Sequence, residues 1–187
     1  DGGSETPSST DDGTVGLAGT SGVSSGTATA TAAADSYSVD FPGCEAPGSA
    51  SLYRSEVLRL VNLERAKAGV SPVVRDEVLE TQATQYACEM VYYGFFGHEN
   101  PSTGTTLADR AEEFSYQYWV IGENLAAGQP TPAKAVSDWM NSPDHRANLL
   151  NPAFTELGVG VRIGGEYGIY WVQEFGRPVE AGPYRSD

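Results

Sequence analysis

Trp139-Met140-Asn141-Ser142-Pro143-Asp144-His145-Arg146-Ala147-Asn148-Leu149-Leu150-Asn151-Pro152 is the stretch on which the reading of this chain turns. Ser142-Pro143 sets a capping hydroxyl before a proline, so one helix ends near Asn141 and another opens there, to close near Asn151-Pro152. The earlier helix opens the same way, at Thr131-Pro132. Downstream, 157–163 and 167–175 read as two strands joined through Gly164-Gly165, a hairpin signal. Alternation puts Trp171, Gln173 and Phe175 on one face of the last strand, and Trp139, Trp171 and Phe175 read as core.

Upstream, 117–122 looks extended, with Glu123 where that strand ends, and a short helix covers 106–114. Residues 76–93 read as a helix capped by Asp76, with Leu79, Ala83, Tyr86, Ala87 and Met90 on its apolar face. Residues 52–68 read as another, stopped by Gly69, with Tyr53, Val57, Leu60, Val61 and Ala68 on one face. Helices first and a hairpin last predict an α+β sandwich rather than alternating βα units.

The first 36 or so residues are built from Gly, Ser, Thr, Ala and Asp, too poor in large apolar groups to order themselves by burial. Residues 1–43 are therefore read as a tail or linker and 44–187 as the folded domain. Thr27-Ala28-Thr29-Ala30-Thr31-Ala32 alternates as a strand would, so the tail is a candidate for self-association by strand addition. The 187 residues carry a formal charge of −14. That repels nucleic acid and anionic membranes and attracts a divalent cation or a basic partner. No apolar run approaches the roughly 20 residues of a bilayer span. The chain opens at Asp1 without a basic-then-apolar leader, which reads as a mature exported form.

Cys44 and Cys88 are expected to form a disulfide. Cys88 comes nine positions after Leu79, which at about 100° per residue turns it away from the apolar face, so it needs a partner outside that core. Cys44, in Phe41-Pro42-Gly43-Cys44 ahead of the first helix, fits. The bond would pin the incoming segment across the outer side of the helix.

The chain has two histidines. His98 follows the aromatic run Tyr92-Tyr93-Gly94-Phe95-Phe96, in Gly97-His98-Glu99-Asn100-Pro101. His145 opens a helix. Glu123 lies between them in Gly122-Glu123-Asn124-Leu125. Two imidazoles and a carboxylate suit a zinc-like ion with one position left for water, or an acid/base set.

Five blocks in order carry a family resemblance. They are Val61-Asn62-Leu63-Glu64-Arg65, Gly94 to Pro101, Gly122-Glu123-Asn124-Leu125-Ala126, the 139–152 stretch, and Leu157-Gly158-Val159-Gly160-Val161 with Tyr170-Trp171-Val172-Gln173-Glu174-Phe175-Gly176. Over roughly 52–176 the chain resembles the bacterial branch of the CAP superfamily (cysteine-rich secretory proteins, antigen 5, pathogenesis-related 1). The resemblance implies a three-layer α/β/α sandwich with a cleft holding two His and two acids, whose histidines can bind zinc. His98, Glu123 and His145 match three of these four. Ser142 stands where many members have the second acid, and Asp144 replaces a glycine before His145.

The resemblance leaves three functions open. One is a secreted binding module whose cleft takes a divalent metal and whose surface takes a lipid or protein. Another is a hydrolase in which His145 or Glu123 activates water. The third is a subunit of an extracellular assembly linked through the tail. Ser142 near His145 could be a nucleophile, but a helix cap is the simpler reading. Asn100 and Asn124 are read as turn residues.

Overall fold

Caps written into the sequence set the helix limits. The structure, a computed structural model, describes residues 36–185. The elements in chain order are helix α1 (Ser36–Asp40), α2 (Ala50–Lys67), strand β1 (Val74–Arg75), α3 (Glu77–Tyr93), α4 (Leu107–Glu113), β2 (Tyr118–Ala127), α5 (Pro132–Asn141), α6 (Pro143–Leu149), β3 (Glu156–Gly164) and β4 (Gly168–Pro178). Asp76 accepts from the Leu79 N–H at 2.8 Å to open α3, and Gly94 closes it in the left-handed conformation (φ 69°). A reciprocal Thr106–Asp109 box opens α4, and Thr131 with Pro132 opens α5. Ser142 stands at the start of α6, but its side chain makes no cap hydrogen bond, so there the proline alone sets the helix geometry.

The strands form one mixed sheet in the order β1-β3-β4-β2. β1 runs parallel to β3, while β4 is antiparallel to both β3 and β2. β4 is buried on both faces. Trp171 and Phe175 pack with Val57, Val61, Val136 and Trp139 of the α2 and α5 layer. Tyr170 and Val172 pack with Ala83, Tyr86, Ala87 and Met90 of α3. This is the expected α/β/α sandwich, one sheet between two helical layers. The hairpin turns through three residues, Gly165-Glu166-Tyr167, since Gly164 pairs with Gly168.

Gly158 and Gly160, two apart on β3 and so on one face, let α3 lie against the strand. A Cβ on Gly158 would sit 2.1 Å from the Leu79 carbonyl carbon, and one on Gly160 would sit 2.2 Å from the Ala83 carbonyl oxygen. No side chain fits that gap, so the Gly-Val-Gly spacing fixes the height of α3 above the sheet.

The Cys44–Cys88 disulfide is present, with Cα atoms 5.3 Å apart. The reason expected for it needs correction. Cys88 is not on an outer face; both cysteines are fully buried in a core cluster with Ala87, Met90 and Tyr170. α3 is covered nearly all round, with Gln82, Thr84 and Glu89 buried as well, so its apolar face alone did not define inside and outside. Ordered structure also starts ahead of Cys44, because Tyr37 and Phe41 pack on this same cluster. The alternating 27–32 segment and its suggested self-association lie outside the described residues.

In α2, Arg65 rather than Ala68 completes the inner face. Its buried guanidinium donates to the carbonyls of Ser71, Leu149, Asn151 and Phe154 at 2.7–3.0 Å. That ties the end of α6 to the end of α2.

Three outcomes test this packing. Gly160→Ala should lower the unfolding free energy by about 3 kcal/mol, the upper end of overpacking costs, read as a shifted urea midpoint. Alkylation of unreduced protein should label no thiol, and replacing Cys44 and Cys88 together by alanine should cost up to about 4 kcal/mol.

Candidate functional site

His98 sits in the loop that leaves α3, and the loop is held by α3 itself. The Tyr86 hydroxyl donates to the Gly97 carbonyl at 2.6 Å. Asn100, fully buried, donates to Glu89 at 2.9 Å and accepts from the Ser102 N–H at 2.9 Å. Asn100 therefore forms the expected turn and also anchors the loop.

Glu123 lies mid-strand in β2 rather than at a strand end. β2 is an edge strand, so side chains from both helical layers can reach round it. From the α3 side, the His98 Nδ1–H donates to Glu123 Oε1 at 2.8 Å. The carboxylate oxygen can only accept, which fixes the proton on Nδ1 and leaves Nε2 as the lone-pair nitrogen. Arg110 of α4 donates through Nη2 to Glu123 Oε2 at 2.5 Å and through Nη1 to the His98 carbonyl at 3.3 Å. Its guanidinium carbon lies 3.3 Å from the Tyr86 ring centroid, a buried cation–π contact.

From the other layer, α6 brings His145. Asn124, buried on β2, donates to the His145 carbonyl at 3.0 Å and to Gln173 at 3.1 Å, and accepts from Asn148 at 3.0 Å. Asn148 also donates to the Glu123 carbonyl. Asn124 is thus a clamp between strand and helix, not a turn residue. The Glu-Asn pair divides the work by strand alternation, Glu123 facing the His98 loop and Asn124 the His145 helix.

The two histidines are electrostatically unlike. The hydrogen bond that His98 donates to Glu123 raises its imidazole above the ordinary range, against the cost of burial. Burial lowers His145, and the nearby His98 lowers it further, while the exposed Asp144 pulls the other way. His145 borders a hollow of about 300 Å³ with Phe96, Leu125, Trp139 and Ser142. A larger one, about 580 Å³, lies beside Asp76, Tyr116 and Glu156, but it holds neither histidine.

The structure changes one expected role. Glu123 is not arranged as a metal ligand, since its side chain is 2% exposed and both oxygens are engaged, one by His98 and one by Arg110. Among the described residues no three His, Cys, Asp or Glu side chains are grouped to hold one ion. Glu123 instead stands behind His98 and orients its ring through Nδ1. Arg110 and Glu174 were missed by sequence reasoning. The capping box that sets α4 carries Arg110 inward, and Glu174 is the one charged residue in the apolar run of β4.

Residues 58–175 match the family model described as "Cysteine-rich secretory protein family" (CAP). The Bacillus subtilis protein YkwD is 42% identical over 130 residues, which is 70% of this chain and 49% of YkwD. The membrane protein YlbC of the same organism is 35% identical over 106 residues, 57% of this chain and 30% of YlbC. The chain thus spans about half or less of these relatives. Among solved structures, an extracellular protein with an SCP domain from Bacillus anthracis gives a TM-score of 0.62 at 31% identity, over 68% of this chain and 41% of that one. An outer surface protein from Borrelia burgdorferi shares the fold, with a TM-score of 0.60 at 24% identity over 65% and 90% of the two chains.

The electrostatics give a direct check. In an NMR titration His98 should have the higher midpoint and His145 the lower. Because His98 is raised in the folded state, its contribution to stability is complete below about pH 6.5 and is lost as pH rises through its folded midpoint. Glu123→Gln should move the His98 midpoint down and remove that contribution.

Proposed function

From the premise that the chain belongs to the CAP family of cysteine-rich secretory proteins, we propose that it is an extracellular binding module whose cleft takes a divalent cation between His98 and His145. The observation that carries the reading is the bond from His98 Nδ1–H to Glu123. It leaves Nε2 as the only nitrogen of that ring able to ligate, and it raises the basicity of the ring as a carboxylate behind a ligating histidine does. His145, kept neutral by burial, presents its lone pair at lower pH than an ordinary imidazole. When bound, zinc would supply a Lewis-acidic centre with positions open to water or ligand. Ser142 in place of the second acid makes such a site weaker than one with a third protein ligand.

Two further observations favour an extracellular setting. The buried disulfide suits an oxidising compartment, and among the described residues no helix is long and apolar enough to cross a membrane. The similar proteins from B. anthracis and B. burgdorferi are described as extracellular and outer-surface proteins.

A binding role is favoured over hydrolysis by the state of Glu123. A general base must reach its water, and this carboxylate is buried with both oxygens spoken for. That leaves His145 as the one acid/base candidate of the pair.

Calorimetric titration with zinc at neutral pH tests the reading. His98→Ala and His145→Ala should each abolish the heat signal with an unchanged circular dichroism spectrum. Glu123→Gln should weaken binding by about 10–100-fold, as loss of an outer partner does. Equal zinc binding by all four proteins would defeat the proposal.

A further inference from the structure

Glu174 lies on β4 directly opposite Glu123 on β2. Paired residues on adjacent strands project from the same face, about 5 Å apart at Cβ, where two like charges destabilise the pair. Glu174 is fully buried, and among the described residues neither of its oxygens has a hydrogen-bond partner. Its other strand neighbour is Gly158, whose backbone is pressed against α3 and which has no side chain to offer.

The groups facing Glu174 can be named element by element. From α3 come Gln82 and Glu89, from α4 Arg110 with the Tyr86 ring against its guanidinium, and from β2 Glu123, with His98 beyond Glu123. Gln82 gives partial relief to a charge, but its own amide atoms are also without hydrogen-bond partners. Glu89 is already engaged by Asn100 and Gln85. Arg110 is the one cation among these facing side chains besides a protonated His98, and it is committed. Its Nη2 lies 2.5 Å from Glu123, while its Nε lies 3.9 Å from Glu174 and makes no hydrogen bond.

One guanidinium between two carboxyl groups neutralises one of them. A second buried anion would carry the full cost of desolvation with no partner of its own. We propose that Glu174 is a positioning residue for the cleft, which holds a proton so that Arg110 stays with Glu123, whose carboxylate then fixes the ring of His98. An ionised Glu174 would compete for the same guanidinium and loosen the Glu123–His98 bond. Burial first, then the charge of Glu123, pushes Glu174 well above the usual carboxyl range, against the pull of Arg110. The inference rests on the groups around Arg110 and stands whether or not the cleft binds a cation.

The test compares metal-free wild type with Glu174→Gln, which keeps the shape of the neutral acid. Above about pH 4.3 the unfolded chain has released this proton and the folded chain has not, so stability falls as pH rises through that region. The melting temperatures of the two proteins should coincide near pH 4, and the variant should pull ahead as pH rises. His98 should keep its raised NMR midpoint in Glu174→Gln. In wild type labelled with carboxyl-13C glutamate, one resonance should stay in its acid form well above the ordinary range and be missing from the variant. A variant that never pulls ahead, its deficit constant or growing as pH rises above about 4.3, would overturn the proposal, since an ionised Glu174 paired with Arg110 would stabilise the fold most at high pH. So would a wild-type spectrum in which every glutamate titrates normally, a result that does not require the variant to fold.

Discussion

The contact between α3 and β3 through Gly158 and Gly160 is the constraint from which the rest of the architecture follows. With no side chains in the gap, the helix lies at backbone contact on the strand. Its next positions then overlie β4, where Tyr86 covers Arg110 and Gln82 sits beside Glu174. The same placement brings Cys88 to Cys44 and sends the chain from Gly94 toward the edge of β2. Gly176 does related work at the other end of β4, where a Cβ would lie 2.1 Å from the Tyr116 hydroxyl. Gly158, Gly160 and Gly176 are contact surfaces for neighbouring groups.

Two buried arginines connect the layers by different chemistry. Arg65 spends its donors on four carbonyls and so fastens a loop, leaving its charge unneutralised by any carboxylate in those bonds. Burial accordingly lowers its affinity for a proton. Arg110 faces carboxyl groups and an aromatic ring, so its position depends on which acid is ionised. The planar fork of the guanidinium makes both arrangements possible, and lysine could reproduce neither. The cleft is thus built on an electrostatic arrangement, whereas the α2–α6 junction is built on hydrogen bonds alone.

The fold was legible because its punctuation is local. Asp76, Thr106 and Thr131-Pro132 announce helix starts by side-chain chemistry that needs no tertiary context. The convergence of His98 and Glu123 was legible only through the ordered blocks of the CAP pattern, since spacing along the chain does not reveal it. What sequence could not supply were roles decided by depth. Glu123 has the composition of a ligand and the burial of a scaffold group. Cys88 falls off the apolar face of its helix yet inside the protein, because α3 is covered on most sides. Glu174 looks like one more acid in a chain of charge −14 until its strand is found to be buried on both faces.

The disulfide has a mechanical consequence. Its 44-residue separation encloses α2 and most of α3 in a closed covalent loop. Tension applied through the chain ahead of Cys44 would pass across the sulfurs into α3, bypassing the enclosed segment. From α3 the load would spread over the flush contact with β3, where backbone meets backbone along two residues' length. The enclosed helix cannot be peeled away turn by turn from that end while the bond is intact. The Cys44–Cys88 link would thus act as a strain relief, and with it reduced the same tension would peel the domain from α2 onward.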